Sequence, residues 1–122
     1  MRIASVSVVL FGAYLIALGV TLLILPNVLL GIFGIPDTDE FWIRILGGVL
    51  IAVGYLYVEG GRTESGWFMR ASVFSRAGVA AVLFALVLLS VAPPVIALFG
   101  AVDLVTAIWT ASELGWPSVL RR

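Results

Sequence analysis

The chain has 122 residues and contains no cysteine, no histidine and no lysine. Without cysteine there is no disulfide scaffold, no thiol redox pair and no thiolate metal site. Without histidine, imidazole metal ligation, histidine-ligated haem and histidine acid–base catalysis all fall away. Charge of either sign is scarce. Seven arginines stand against seven acids, charged residues make up 11% of the chain, and the formal net charge is zero. With no basic surplus, nucleic acid is not expected as a partner. No metal, no cofactor and no catalytic residue is expected either.

What fills the sequence instead is apolar. Hydrophobic residues make up 62% and the mean hydropathy is +1.21, against roughly 45–50% apolar and about 25% charged in an ordinary globular domain. Such a chain cannot supply the polar surface that a water-soluble domain of this size needs. The expectation is an integral membrane protein whose immediate partner is the lipid bilayer.

A membrane-spanning helix needs about 20 mostly apolar residues, because a core of ~30 Å is crossed at ~1.5 Å per residue. Four segments qualify, at about 4–25, 41–58, 71–90 and 94–112. The first is uncharged and closed by Pro26-Asn27, a helix-ending pair. The second carries Arg44 near its start, the third carries Arg76 and stops at Pro93-Pro94, and the fourth contains Asp103. Period-two alternation is absent and each run far exceeds a barrel strand of ~10 residues. The fold expected is all-α, an integral membrane bundle of four transmembrane helices forming a single membrane domain over 1–122. The apolar run after Arg2 is about 22 residues, longer than the roughly 7–15 of a signal-peptide core, and no Ala-x-Ala-like site follows it. A retained first span is therefore expected.

Orientation follows from arginine placement. Arg2, Arg62, Arg70, Arg76, Arg121 and Arg122 fall on one side of a four-span layout, and only Arg44 falls on the other, beside Asp37, Asp39 and Glu40. Both termini and the 59–70 loop are expected in the cytoplasm, giving an N-in, C-in multi-pass protein of the cell membrane. Trp42, Trp67 and Trp116, with Phe41 and Phe68, lie at the expected span ends, where interfacial anchors belong. Between the spans, 27–36 is apolar but broken by Gly31, Gly34 and Pro36. It reads as a short interfacial helix or a re-entrant lid. The Gly-rich 59–70 loop lacks P-loop spacing and a lysine, so it reads as a flexible connector.

The chemistry-bearing candidates are few. Asp103 lies about nine residues into the fourth span, ~14 Å from its outer boundary, where a charged Asp costs on the order of 3 kcal/mol unless paired, protonated or hydrated. Arg44 enters ~5 Å from the outer side and Arg76 ~8 Å from the inner side. Either reaches Asp103 if the helices are neighbours, and the result is a structural ion pair or, alternatively, a proton or ion relay running through Asp103 in contact with a substrate or ion. Thr106, Thr110 and Tyr55, with Tyr14 and Thr21, either line a narrow polar seam around these charges or bond carbonyls of their own helices. Small residues recur at Gly48-x3-Ala52, Ala77-x3-Ala81-x3-Ala85 and Ala97-x3-Ala101, the spacing at which backbones approach closely.

A first span closing on Pro26, the apolar stretch Val28-Leu29-Leu30-Gly31-Ile32-Phe33-Gly34, the run Arg44-Ile45-Leu46-Gly47-Gly48 and the stretch Gly100-Ala101-Val102-Asp103 together resemble the small four-helix DoxX-like and BphX-like bacterial membrane proteins. The resemblance implies a four-helix membrane fold and makes Arg44 and Asp103 the positions of special structural or functional weight. Some DoxX-like proteins are accessory subunits of quinone-linked redox complexes. The leading functional expectation is an accessory or interaction component without catalysis of its own, as a homo-oligomer or within a larger membrane complex. The alternative is a small-solute or ion transporter or channel centred on Asp103. Small multidrug transporters place an acid in the first span, which has none here, and the six-to-one arginine split does not suit a dual-topology exporter. A membrane enzyme acting on lipid or quinone is the third reading.

Overall fold

The computed structural model describes residues 3–115; Arg2, Trp116, Arg121 and Arg122, used above for orientation and anchoring, lie outside the described residues. The protein is all-α. Its elements are α1 (Ile3–Ile24), α2 (Pro26–Ile32), α3 (Trp42–Arg62), α4 (Gly66–Leu88) and α5 (Ile96–Leu114), and α1, α3, α4 and α5 are each long and apolar enough to cross a membrane. In lipid a backbone must satisfy its own polar groups, and an unbroken helix does so within one segment.

The distribution of side chains is inverted relative to a soluble protein. Large apolar residues lie exposed along the helices, among them Leu88 at 83% and Val105 at 64%, a surface suited to lipid or to another apolar surface rather than to water. The buried set holds Ser5, Ser7, Ser72, Arg76, Asp103 and Thr110, and the largest fully buried side chain is that of an arginine, Arg76. These features make the chain a multi-pass membrane protein.

Three helix ends share one device. Ile35 N–H donates to Leu30 O and Gly34 N–H to Gly31 O, Ser65 N–H to Gly60 O and Glu64 N–H to Gly61 O, Val91 N–H to Leu86 O and Ser90 N–H to Val87 O. These are paired Schellman closures, each needing one left-handed residue. Gly34 (φ 70), Glu64 (φ 54) and Ser90 (φ 58) fill that position, although only glycine does so without a steric penalty.

The Glu64 closure corrects the expectation of a long flexible connector at 59–70. Helix α3 continues through Gly60 and Gly61 to Arg62, and α4 starts at Gly66, so only three residues lie between them. Ser65 caps α4 by accepting from Phe68 N–H at 3.3 Å. The phenyl ring of Phe68 occupies the space a side chain at Gly60 would need. Glycine here serves close packing, and it lowers helix propensity by only about 1 kcal/mol. The helices extend beyond two of the apolar runs read from the sequence, α3 continuing past 58 through Glu59-Gly60-Gly61 to Arg62 and α4 beginning before 71, at Gly66.

The helices group into two compact units. Unit 2, Val9–Glu59, holds most of α1, α2 and most of α3. Within it α1 and α3 run antiparallel and touch backbone to backbone at two glycine pairs. A Cβ at Gly12 would stand 2.7 Å from Gly54 O, and one at Gly54 would stand 2.7 Å from Gly12 O. A Cβ at Gly19 would stand 2.5 Å from Gly47 O, and one at Gly47 would stand 2.6 Å from Gly19 O. Both pairs are spaced by seven residues, two helical turns, so they stack on one seam. The ring of Phe11 meets that of Tyr57 edge-on at 5.2 Å on the same seam.

The small-residue spacings read from the sequence fall elsewhere. Gly48 and Ala52 are exposed, a Cβ at Gly48 meets nothing within 4 Å, and Ala81 and Ala85 are exposed. A four-residue spacing cannot distinguish a packed face from a lipid-facing one, because both are apolar.

Unit 1 holds the start of α1 through Val8, the end of α3 from Gly60, and α4 and α5. Helix α4 packs against α5. Its buried positions are Met69, Ser72, Val73, Arg76 and Ala80, and those of α5 are Gly100, Asp103, Ala107, Thr110 and Ala111. Both sets follow three- and four-residue steps, which trace one helix face. The ring of Phe84 lies over Gly100 and Arg76 meets Thr110, so α4 and α5 are antiparallel.

Candidate functional site

The polar interior of unit 1 is built from one side of three helices. Arg76 is the eleventh residue of α4, about 15 Å along it, and is 1% exposed. Its guanidinium folds back along its own helix. Nε donates to Ser72 O at 3.2 Å, and Nη2 donates to Ser72 Oγ at 3.0 Å and to Thr110 Oγ1 on α5 at 2.8 Å. Ser72 lies one turn before Arg76, so a single helix face presents both the cation and its acceptor. Ser72 Oγ in turn donates to Met69 O at 2.7 Å.

From α1, Ser7 Oγ reaches Thr110 Oγ1 at 2.7 Å and Ala4 O at 2.6 Å, while Thr110 Oγ1 also lies 3.1 Å from Thr106 O. Two hydroxyl protons serve these three contacts, so either hydroxyl is the donor to the other, and the network has two proton arrangements. Ser5 Oγ completes the α1 face, donating to Met69 Sδ at 3.5 Å and to Glu64 Oε1 at 3.4 Å. Four fully buried side chains on three helices are thereby joined around Thr110. Each is hydrogen-bonded to another, as burial of polar groups in a low-dielectric interior favours.

Asp103 lies two turns before Thr110 on the same face of α5 and is 8% exposed. Arg76 is the charged residue that acts on it electrostatically. No hydrogen bond or ion pair to the Asp103 carboxylate is formed among the described residues. The Arg76 Nε and Nη2 hydrogens go to Ser72 and Thr110 instead.

Arg44 lies in unit 2. It is exposed, and its Nη1 donates to Leu23 O at 2.6 Å and Ile24 O at 3.5 Å. A guanidinium on the last carbonyls of α1 satisfies acceptors that have no partner inside that helix and complements the negative end of its dipole. Thr106 Oγ1 donates to Val102 O at 2.8 Å and lies 3.1 Å from Asp103 O, and Thr21 Oγ1 donates to Ala17 O at 2.8 Å, each within its own helix. Tyr55 is 58% exposed. The ring of Tyr14 lies 5.7 Å from that of Phe11.

Ser7 and Ser72 were missed by the sequence reading, although they carry the network together with Arg76 and Thr110. The signal for Ser72 was its place one turn from Arg76. For Ser7 it was a pair of serines, Ser5 and Ser7, inside an otherwise apolar first turn. Among the described residues no three His, Cys, Asp or Glu side chains gather as a metal cluster. No family model, no curated protein and no solved structure matches the chain.

Proposed function

We propose that the protein is a small multi-pass membrane protein that serves as an accessory or interaction component, without catalysis of its own. The observation that carries this reading is the engagement of Arg76. The largest buried side chain donates to Ser72 within α4 and to Thr110 on α5, and Thr110 meets Ser7 on α1. Such a polar network between helices fixes register in an interior where apolar packing alone is permissive. A rigid intramembrane scaffold suits a component whose role is to be held by, and to hold, other membrane proteins. The short connections between the long helices support the same reading, with a homo-oligomer or a larger membrane complex as the working form.

The test is purification of the tagged chain from its native membrane in a mild detergent, with cross-linking before extraction. A stoichiometric partner or a defined oligomer supports the reading; a clean monomer with no cross-linked species refutes it. The placement proposed is the cell membrane with both termini in the cytoplasm, supported by the arginine split. The absence of native cysteine makes this cleanly testable. With an impermeant maleimide on intact cells, Asp39→Cys is expected to label and Ser65→Cys is not.

A second reading is favoured by one observation: the buried Asp103 carboxylate has no direct partner among the described residues. It is a small-solute or ion transporter centred on Asp103. Ligand-dependent flux in liposomes that is lost in Asp103→Asn would sustain it, and unchanged flux would remove it.

A further inference from the structure

A carboxylate on a residue only 8% exposed and without a hydrogen-bond donor is a costly arrangement, and it calls for something to neutralise it. Among the described residues, none forms a hydrogen bond or ion pair with the Asp103 carboxylate. On its own helix, Gly100 lies one turn before, beneath the Phe84 ring, and Ala107 lies one turn after. Thr106 spends its hydroxyl on backbone carbonyls. The other charged residue of α5, Glu113, is ten positions further along.

On α4, Arg76 is the charged neighbour, with Nε and Nη2 committed to Ser72 and Thr110. Arg70, the other charged residue of α4, lies six positions nearer that helix's start. The portion of α1 in this unit, 3–8, contains no titratable side chain. Glu64, in the turn before α4, accepts from Ser5. A divalent metal would need several oxygen or nitrogen ligands, and no group of three His, Cys, Asp or Glu gathers among the described residues. A proton neutralises such a carboxylate without needing any further ligand from the protein.

We propose that Asp103 is a proton-exchange site, which takes up and releases a proton through the small edge of the residue that stays exposed. The Arg76 guanidinium, anchored by Ser72 and Thr110, stands as a fixed counter-charge when the proton leaves. The proposal deepens the second functional reading and rests on it only for the purpose the exchange serves. Exchange and transport are read by different experiments.

The experiment uses the full chain in liposomes with dicyclohexylcarbodiimide, an apolar reagent that partitions into the bilayer. A protonated carboxyl gives its proton to one reagent nitrogen while its oxygen bonds the central carbon. The O-acylisourea then rearranges to an N-acylurea. Nothing leaves, so the peptide gains the mass of one whole reagent. The expected result is modification mapped to Asp103 that increases as pH falls, is retained at Asp103→Glu and is lost in Asp103→Asn. Absence of label on Asp103 at every pH, or label independent of pH, overturns the proposal. Protection by Na⁺ at constant pH also overturns it, because the site would then take a metal cation.

A second measurement guards against a misfolded variant. The chain has three aspartates, Asp37, Asp39 and Asp103, so Asp37→Asn/Asp39→Asn leaves Asp103 alone. With carbon-13 aspartate, that protein should show an infrared carboxylic C=O band that appears and disappears with pH; no such band refutes the exchange. PH-dependent labelling with no flux of any solute removes the transport reading and leaves proton exchange in place.

Discussion

Gly47 and Gly48 are adjacent on α3, yet they should respond oppositely to a single methyl group. A Cβ at Gly47 would stand 2.6 Å from Gly19 O, 2.7 Å from Leu23 N and 3.1 Å from Leu22 C, all backbone atoms of α1. An unstrained carbon–oxygen contact is about 3.3 Å. Gly47→Ala therefore forces the two helices about 0.7 Å apart at this level, starting from the contact distance of the same principle. A radial gap of that size forfeits a quarter to a half of the dispersion well of each atom pair across the seam, and overpacking of a close-fitted contact costs about 1–3 kcal/mol. The helix-propensity gain of Ala over Gly returns about 1 kcal/mol. The net expectation is a loss of up to roughly 2 kcal/mol. At Gly48 a Cβ meets nothing within 4 Å, so only the propensity term acts, and Gly48→Ala should be neutral or stabilising by up to about 1 kcal/mol. The assay is reversible unfolding in mixed micelles titrated with a denaturing detergent, followed by circular dichroism. Gly12→Ala, Gly19→Ala and Gly54→Ala should behave like Gly47→Ala. Equal midpoints for Gly47→Ala and Gly48→Ala would refute the backbone-to-backbone seam.

Further predictions follow from the hydrogen bonds. Thr110→Val removes the acceptor of Arg76 Nη2 and the partner of Ser7. It should destabilise by about 1–3 kcal/mol in the same unfolding assay, whereas Thr106→Val, which loses bonds only to its own helix, should change stability by less than about 0.5 kcal/mol. Ser90→Gly relieves a left-handed residue and should stabilise by about 1 kcal/mol, while Gly34→Ala at the equivalent closure should destabilise by a similar amount. Arg44→Gln withdraws the guanidinium from the last carbonyls of α1. Because the side chain is exposed, global stability should fall by less than about 1 kcal/mol. Hydrogen exchange at the amides that end α1 should accelerate, and unchanged exchange there would remove the capping role.

The amino-acid composition by itself determined the class of protein. Four runs of some twenty apolar residues leave the backbone one way to satisfy itself in lipid, and prolines at 26, 93 and 94 mark where those runs must stop. The absence of Cys and His closed whole branches of chemistry. Asp103, Arg76 and Thr110 stood out as polar groups in apolar segments, and the structure buries all three. The helix ends at Arg62 and Gly66 were not legible, because the closing turn around Glu64 depends on a left-handed backbone and on a ring packed over Gly60, not on hydrophobicity. Only the tertiary structure decided which of two neighbouring glycines faces a helix and which faces outward, since a methyl-sized difference in rotation about α3 leaves no trace in composition. It alone decided that Arg76 spends Nε and Nη2 on Ser72 and Thr110 while making no hydrogen bond to Asp103, and that Ser7 from the first span closes the network. Hydrogen-bond partners are chosen by distances of a few tenths of an ångström between helices far apart in sequence, and those distances exist only once the helices have packed.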